Sequence, residues 1–288
     1  MSLRKRANKS FTLIEILVVI VVIGILSAFI LVGMSSITNS ANIAKSKTFA
    51  NSLRNSLLTN LISEYKLEGN VNDSWETKNG VLNNFSANPW KDSSQCPSSQ
   101  CLEFDGSDDY VSISNNFFGG LTSLTVEGWA NGQQASNFFN TGGGVLILHF
   151  NGAGFYLTAD DGTNSGYLAW EHGLNYNRWY HIAATWDGSV MKLYTNGICQ
   201  NTTRNFTGGA TRILESAVNL HIGNYFNAGQ PYFKGLIDDV RIYNQAIPTS
   251  EIQQNYYLGL NKLFKNNGIT SIEYHQRIGE LKNNLAKD

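Results

Sequence analysis

Proline and cysteine are scarce in this chain, 4 and 3 among 288 residues, and charged residues make up only 15%. Beside 12% aromatics and 27 glycines, so little charge describes a loop-rich, helix-poor globular chain, its first sixty residues apart. An excess of positive charge is also missing: the formal net charge is -1. Four of the 21 Lys and Arg (Arg4, Lys5, Arg6 and Lys9) sit in the first ten residues, and without them the 22 acids prevail by about five. A basic nucleic-acid surface is therefore excluded, and no nucleic-acid partner is expected. The five histidines lie in strand or tail contexts without a nucleophile elbow, which leaves serine and cysteine triads without support.

Of the three cysteines, Cys96 and Cys101 are separated by Pro-Ser-Ser-Gln, a polar loop that a disulfide can close. A metal pair would need two further ligands at useful spacing, and an exported chain favours the disulfide. Cys199 is left over and reads as a small, buried strand residue.

What the chain does have is one long apolar run, Phe11 to Val32, with Glu15 as its single charge. Its length is enough for a helix to cross a bilayer of about 30 Å. The basic residues ahead of it keep Met1 to Ser10 in the cytoplasm and send the rest outside. A cleaved secretory signal would be shorter and followed promptly by an Ala-x-Ala site. Glu15 is the informative residue, because a carboxylate in this position costs about 2.5–3.5 kcal/mol and demands a partner.

Lys9-Ser10 followed by Phe11-Thr-Leu-Ile-Glu15 resembles the class III signal of type IV pilins and type II secretion pseudopilins. The resemblance implies cleavage between Ser10 and Phe11 by a prepilin peptidase, with methylation of the new amino terminus. It implies that Glu15 meets the terminal amine of a neighbouring pilin-like subunit during assembly. Ser10 stands where that family normally has Gly, and Val32-Gly33 where many pilins have Pro. From Ala41 to Tyr65, Phe49, Leu53, Leu57 and Leu61 recur at helical spacing, with Leu58, Ile62 and Tyr65 alongside. The expectation is one transmembrane and stalk helix over residues 11–63, after a leader at 1–10.

Beyond Gly69 the pattern changes to short alternating runs divided by Gly, Asn and Asp. Leu102 to Ile113 reads as two strand arms around a turn, and Leu124 to Trp129 alternates like a half-buried strand. Further strands are expected at 145–150, 155–158, 166–170, 179–186, 191–195, 198–201, 220–223 and 236–243. Asn196-Gly197 is the strongest hairpin signal, because both central residues of a type I′ turn need positive φ. So many evenly spaced strands predict a mainly β fold, an antiparallel sandwich or jelly roll.

Five stretches resemble the laminin G-like jelly roll of the Concanavalin A-like lectin/glucanase superfamily, in that family's order. They are Leu67 to Ser74, Phe104 to Val111, Trp179 to Gly188, Leu193 to Gly197 and Gly235 to Asn244. The implied domain runs over 64–258, with Pro248 to Ile252 as a short closing helix and Thr249 as its cap. The resemblance also implies a calcium ion between Asp73 and Asp238. Asp238 shares strand parity with Val240 and Ile242, so it should face inward, where an unpaired carboxylate is costly. The alternative is that it accepts turn N–H groups and binds nothing.

Glucanases share this fold, and Glu103 and Asp105 fall on one face of a strand with Asp108 following. Retaining glycosidases need two carboxylates about 5–5.5 Å apart. Phe104-Asp-Gly-Ser-Asp-Asp-Tyr matches the noncatalytic module better, so no enzyme is expected. For ligand contact, Trp170, Tyr225 and Tyr232 stand near loops, whereas Trp129, Trp179 and Trp186 read as core. Over 259–288, Thr270-Ser-Ile-Glu273 is a capping-box pattern that opens an amphipathic helix through Ile278, Leu281 and Leu285.

The sequence thus predicts a single-pass membrane protein with a cytoplasmic leader and an outward jelly-roll head. The expected role is a minor pilin or pseudopilin whose head binds carbohydrate or another surface polymer. A purely structural fibre subunit and a signal-anchored lectin are the alternatives.

Overall fold

Alternation between apolar and polar residues commits the chain to strands, and the turn residues decide where each strand ends. The computed structural model describes residues 60–114, 119–141, 146–150, 154–158, 165–168, 173–200, 204–205, 213, 219–224 and 231–285. All of them belong to one contact unit, Asn55–Asp288. Ser10, Phe11, Glu15 and the apolar run lie outside the described residues, as do Trp170 and Tyr225. Among the described residues, no helix is long and apolar enough to cross a membrane.

The described elements begin with β1 (Leu61–Tyr65), β2 (Gly80–Asn83), β3 (Trp90–Asp92) and β4 (Gln100–Asp105). Next come β5 (Tyr110–Ile113), β6 (Leu124–Gly132), β7 (Ser136–Thr141) and β8 (Leu146–Phe150). They are followed by β9 (Phe155–Thr158), β10 (Ser165–Leu168), β11 (Tyr180–Trp186) and β12 (Val190–Thr195). The last strands are β13 (Ile198–Cys199), β14 (Arg204–Asn205), β15 (Leu220–Ile222) and β16 (Lys234–Tyr243). Two helices close the chain, α1 (Thr249–Lys265) and α2 (Ser271–Leu285).

The strands form two antiparallel sheets. One runs β13-β12-β11-β6-β16-β4-β3, with β14 on β12 and β1 on β16; the other runs β10-β9-β8-β7-β15-β5-β2. Trp186, Tyr65, Phe104, Phe139, Phe150, Phe233 and the aliphatic residues facing them fill the space between the sheets. This is the expected mainly β, antiparallel sandwich. Asn196 (φ 52°) and Gly197 (φ 76°) make the turn between β12 and β13, both in the left-handed region that a type I′ hairpin requires.

Two expectations are corrected. The stalk helix does not extend to residue 63: Leu61–Tyr65 is a strand on β16, with Tyr65 opposite Val240. Leu61, Ser63 and Tyr65 also alternate, and burial of Tyr65 in the inter-sheet core makes period two prevail over period 3.6. The two arms of Leu102–Ile113 are strands around a turn, as expected, and they enter different sheets: β4 pairs with β16 in one and β5 with β15 in the other. The domain does not end at residue 258. α1 runs unbroken through Gly259 to Lys265, and Thr249 lies within it while Pro248 holds the cap position without a side-chain cap.

The two helices cover the outer face of the larger sheet. Tyr256, Leu260, Leu263 and Leu281 pack there with Trp129, Trp179 and the Cys96–Cys101 pair. These two cysteines form a disulfide with their Cα atoms 5.6 Å apart. Cys199, outside it, is half-buried on β13, against the cluster of Tyr194, Tyr243, Ile247 and Ile252.

Candidate functional site

The helix-covered face of the sheet carries a buried polar network. Glu127, fully buried, accepts hydrogen bonds from Tyr243 Oη (3.1 Å) and Asn255 Nδ2 of α1 (2.7 Å). Its other oxygen lies 3.5 Å from His181 Nε2. Burial pushes Glu127 up to about 7, against the pull of Arg241 and of its hydrogen bonds. Burial also pushes His181 down to about 3, and the Arg241 charge pushes the same way. The contact near neutral pH is therefore one with an uncharged imidazole rather than an ion pair. Arg241 itself reaches Glu64 through Nε at 2.8 Å and lies 3.5 Å from Asp239. Next to this network Trp129 packs against Tyr256 with centroids 5.7 Å apart, and the arrangement seats α1.

At the end of the same face lies an open, polar cleft of about 250 Å³. Ser94 and Gln95, just ahead of the disulfide loop, form one wall. Asn131 of β6 and the turn Asn177-Arg178-Trp179 form another, and Gly268, Ile269, Glu273 and Arg277 close it from α2 and the residues before it. The walls are tied together: Trp179 Nε1 donates to the carbonyl of Gln95 at 2.7 Å. Asn177, at φ 59°, makes the tight turn and donates its backbone N–H to the carbonyl of Gly132.

Glu273 is the hub of the cleft. Its Oε1 accepts from Arg178 Nε (3.1 Å), Arg277 Nε (3.1 Å) and Arg277 Nη2 (2.6 Å). Arg277 is 1% exposed, and its Nη1 donates to the carbonyl of Trp179 at 2.8 Å. The capping box read in the sequence is thus half formed. Thr270 Oγ1 accepts the Glu273 N–H at 3.2 Å, but the Glu273 side chain turns to the two guanidiniums instead of returning to residue 270. Sequence reasoning did not single out Arg178, Glu273 and Arg277 for binding. The available signal was an arginine one turn before Leu281, on a helix face otherwise set to bury apolar groups.

The residues expected to hold calcium sit in separate settings. Asp73 accepts from Ser63 Oγ (2.9 Å) and from the N–H groups of Glu64 and Trp75 (3.0 Å each). Asp238 accepts from Ser98 N–H (2.9 Å), Ser98 Oγ (2.7 Å) and Asp239 N–H (2.9 Å). Among the described residues they share no hydrogen-bond donor, and each carboxylate meets N–H and O–H groups where an ion would approach. The parity argument for Asp238 is corrected. Asp239, at φ 49°, makes a bulge in β16, so Asp238 pairs with Trp129 and joins the helix-covered face, while Val240 and Ile242 stay in the inter-sheet core. Asp238 is fully buried, and burial and then its neighbour Asp239 hold its carboxyl well above the usual range.

Among the described residues, oxygens of Asp105, Asp108 and Asp109 lie within 4.8 Å of one another, the first two exposed and the third buried. Asp109 accepts the Asp105 N–H at 2.9 Å, which ties the turn together. Glu103 forms an ion pair with Lys91 at 2.7 Å. Tyr232 is half-buried, and its carbonyl accepts from Gln134 Nε2 at 3.0 Å.

This geometry defines a two-sheet jelly-roll sandwich with a helical cover on one face. Residues 105–253, just over half of the chain, match the Concanavalin A-like lectin/glucanases superfamily, and the chain belongs to it. Residues 5–31 match the prokaryotic N-terminal methylation motif, so the protein joins the two. No curated protein matches the chain.

Solved structures share the fold at low identity. The binding domain of Paraclostridial Mosquitocidal Protein 1 superposes with a TM-score of 0.56 and 14% identity, over 71% of this chain and 53% of the other. Domain 4 of AbnA, an extracellular arabinanase from Geobacillus stearothermophilus solved with arabinotriose, gives 0.52 and 17%, over 68% and 97%. The Botulinum neurotoxin serotype D ligand binding domain in complex with N-acetylneuraminic acid gives 0.53 and 15%, over 71% and 52%. The chain therefore spans about half the length of the toxin domains it resembles.

Proposed function

We propose that this protein is a pilin-like subunit, a minor pilin or pseudopilin, whose jelly-roll head binds carbohydrate or another surface polymer without catalysing a reaction on it. The observation that carries the reading is the joining of a methylation motif at 5–31 to a lectin-superfamily sandwich in one chain. A prepilin peptidase would cut between Ser10 and Phe11. The Glu15 carboxylate, costly in lipid, would then be neutralised by the Phe11 amine of the next subunit. Two structural neighbours were solved with sugars, arabinotriose and N-acetylneuraminic acid, which supports carbohydrate as the ligand class.

Calcium remains part of the proposal only as an ion that would displace the donors now satisfying Asp73 and Asp238. Trp170, Tyr225 and Tyr232 stay in the proposal as ligand-contact residues.

A glycan and polysaccharide array probed with the detergent-solubilised full chain, in calcium and again in EDTA, tests the head. Retention of one polymer class supports the binding reading, and its loss in EDTA supports calcium. Silence in both buffers assigns the sandwich a structural role in the fibre. Glu15→Val tests the anchor: membrane insertion is expected to persist while assembly with other pilin-like subunits is lost. Unchanged assembly would leave a signal-anchored lectin.

A further inference from the structure

We propose that the cleft between the residues just ahead of the disulfide loop, the Asn177–Trp179 turn and α2 is a ligand site for a carboxylate-bearing sugar, such as a uronic acid unit of a polysaccharide. This deepens the carbohydrate-binding reading above and rests on it. The first argument is charge. Of the residues lining the cleft, Arg178 and Arg277 are cationic and Glu273 alone is anionic, so the site carries one positive charge in excess. That excess is built in: Arg277 is 1% exposed and pinned by Glu273 and the carbonyl of Trp179. A buried guanidinium held in this way cannot swing away to solvent, so the cleft keeps its polarity whether or not a ligand is present.

The second argument is the state of Arg178. Its Nε is occupied by Glu273, and its guanidinium carbon lies 5.7 Å from the centroid of the Tyr180 ring. Its side chain remains 31% exposed, and among the described residues its two terminal nitrogens make no hydrogen bond. Glu273 and Tyr180 together fix the plane of the fork and leave its terminal donors to the cleft, which is the geometry that receives a carboxylate.

The remaining walls suit a sugar ring rather than an apolar ligand. Asn131, Asn177, Gln95 and Ser94 offer amide and hydroxyl groups, and Trp179 and Leu236 supply limited apolar contact. A volume of about 250 Å³ lies below that of sites for drug-sized molecules and suits a single ring with its carboxylate. An acidic peptide would need a longer groove.

The test compares D-glucuronic acid with D-glucose, which differ only at the carboxylate, by titration into the detergent-solubilised full chain. Glucuronate is expected to bind at least tenfold more tightly than glucose, with the preference falling as salt rises. Arg178→Gln is expected to abolish that preference while the chain still melts in one cooperative transition; Arg178→Lys is expected to restore part of it. Equal binding of the two sugars by the unmodified chain, or full preference in Arg178→Gln, would overturn the assignment. If Arg178→Gln fails to fold, the sugar preference and its salt dependence in the unmodified chain still decide. Array retention of neutral polymers without glucuronate preference would sink this site and leave the general reading standing. Silence toward every sugar would remove both.

Discussion

Gly259 of α1 lies against the indole of Trp129, where an added Cβ would stand 2.4 Å from Nε1 and 2.6 Å from Cζ2. In a helix standing alone, replacing such a glycine with alanine gains about 0.5–1 kcal/mol. Here Trp129 is 1% exposed and hemmed in by His181 and Tyr256, with centroids 5.5 and 5.7 Å away, so it has no room to withdraw. Gly259→Ala is expected to destabilise the protein by about 1–3 kcal/mol, seen as a lower urea midpoint. A raised midpoint would mean that α1 is loosely seated.

The same contact bears on where the head can be cut. A chain ending at residue 258 would lose Leu260, Leu263 and Leu281, all buried, and would bare Trp129 and Trp179. Burial of each such side chain is worth about 1.5–3 kcal/mol, so this truncation should fail to unfold cooperatively and should aggregate. A soluble truncated chain with a normal melting transition would contradict the described role of the two helices.

Glu127 and His181 make opposite contributions to the pH dependence of stability. Glu127 is raised from its ordinary 4.5 to about 7, so its contribution is full below 4.5 and is lost as pH rises through 7. His181 is lowered from 6.5 to about 3, so its contribution is full above 6.5 and is lost as pH falls toward 3. Glu127→Gln keeps an acceptor for Tyr243 and Asn255 but cannot ionise. Relative to the unmodified protein, the variant should gain stability between pH 4.5 and 7, by a few kcal/mol at most. Parallel pH curves for the two proteins would show that Glu127 is already charged in the fold.

The Cys96–Cys101 disulfide closes a short loop, five residues apart in sequence, and loop closure of this size is worth about 2 kcal/mol. Cys96→Ser with Cys101→Ser should lower the melting midpoint by roughly 4–8 °C. The hydrogen bond from Trp179 to Gln95 next to the loop should loosen as well, and tryptophan quenching by acrylamide would report it. An unchanged midpoint with unchanged quenching would mean that Ser98 and Asp238 hold the loop without the bridge.

Local signals were legible where local physics decides. The Asn196-Gly197 turn, the alternating run of β6 and the runs that became β11 and β16 are visible in the sequence because turn chemistry and period two act over a few residues. β7 was not, since Ser136-Asn-Phe-Phe-Asn-Thr141 buries two asparagines as well as two phenylalanines and so lacks alternation. Leu61–Tyr65 fits a helical and a strand period equally, and only its partner 177 residues away, where Arg241 meets Glu64, decides between them. The cleft was invisible for the same reason: Arg178 and Glu273 are 95 residues apart, and a capping-box pattern shows nothing of where the glutamate side chain goes.

The position of β16 has a consequence for how the chain folds as it is made. It is the last of the described strands, yet it is central to its sheet, receiving β6 along one edge and both β4 and β1 along the other, on either side of the Asp239 bulge. Until it arrives, β6 and β4 each have one edge open, and β1 lacks the strand it pairs with. A chain made from its amino terminus must therefore wait, with these edges open, until residue 243 is available. The sheet closes only when its latest-made strand arrives, and before that moment its open edges are where protection against wrong edge-to-edge pairing matters most.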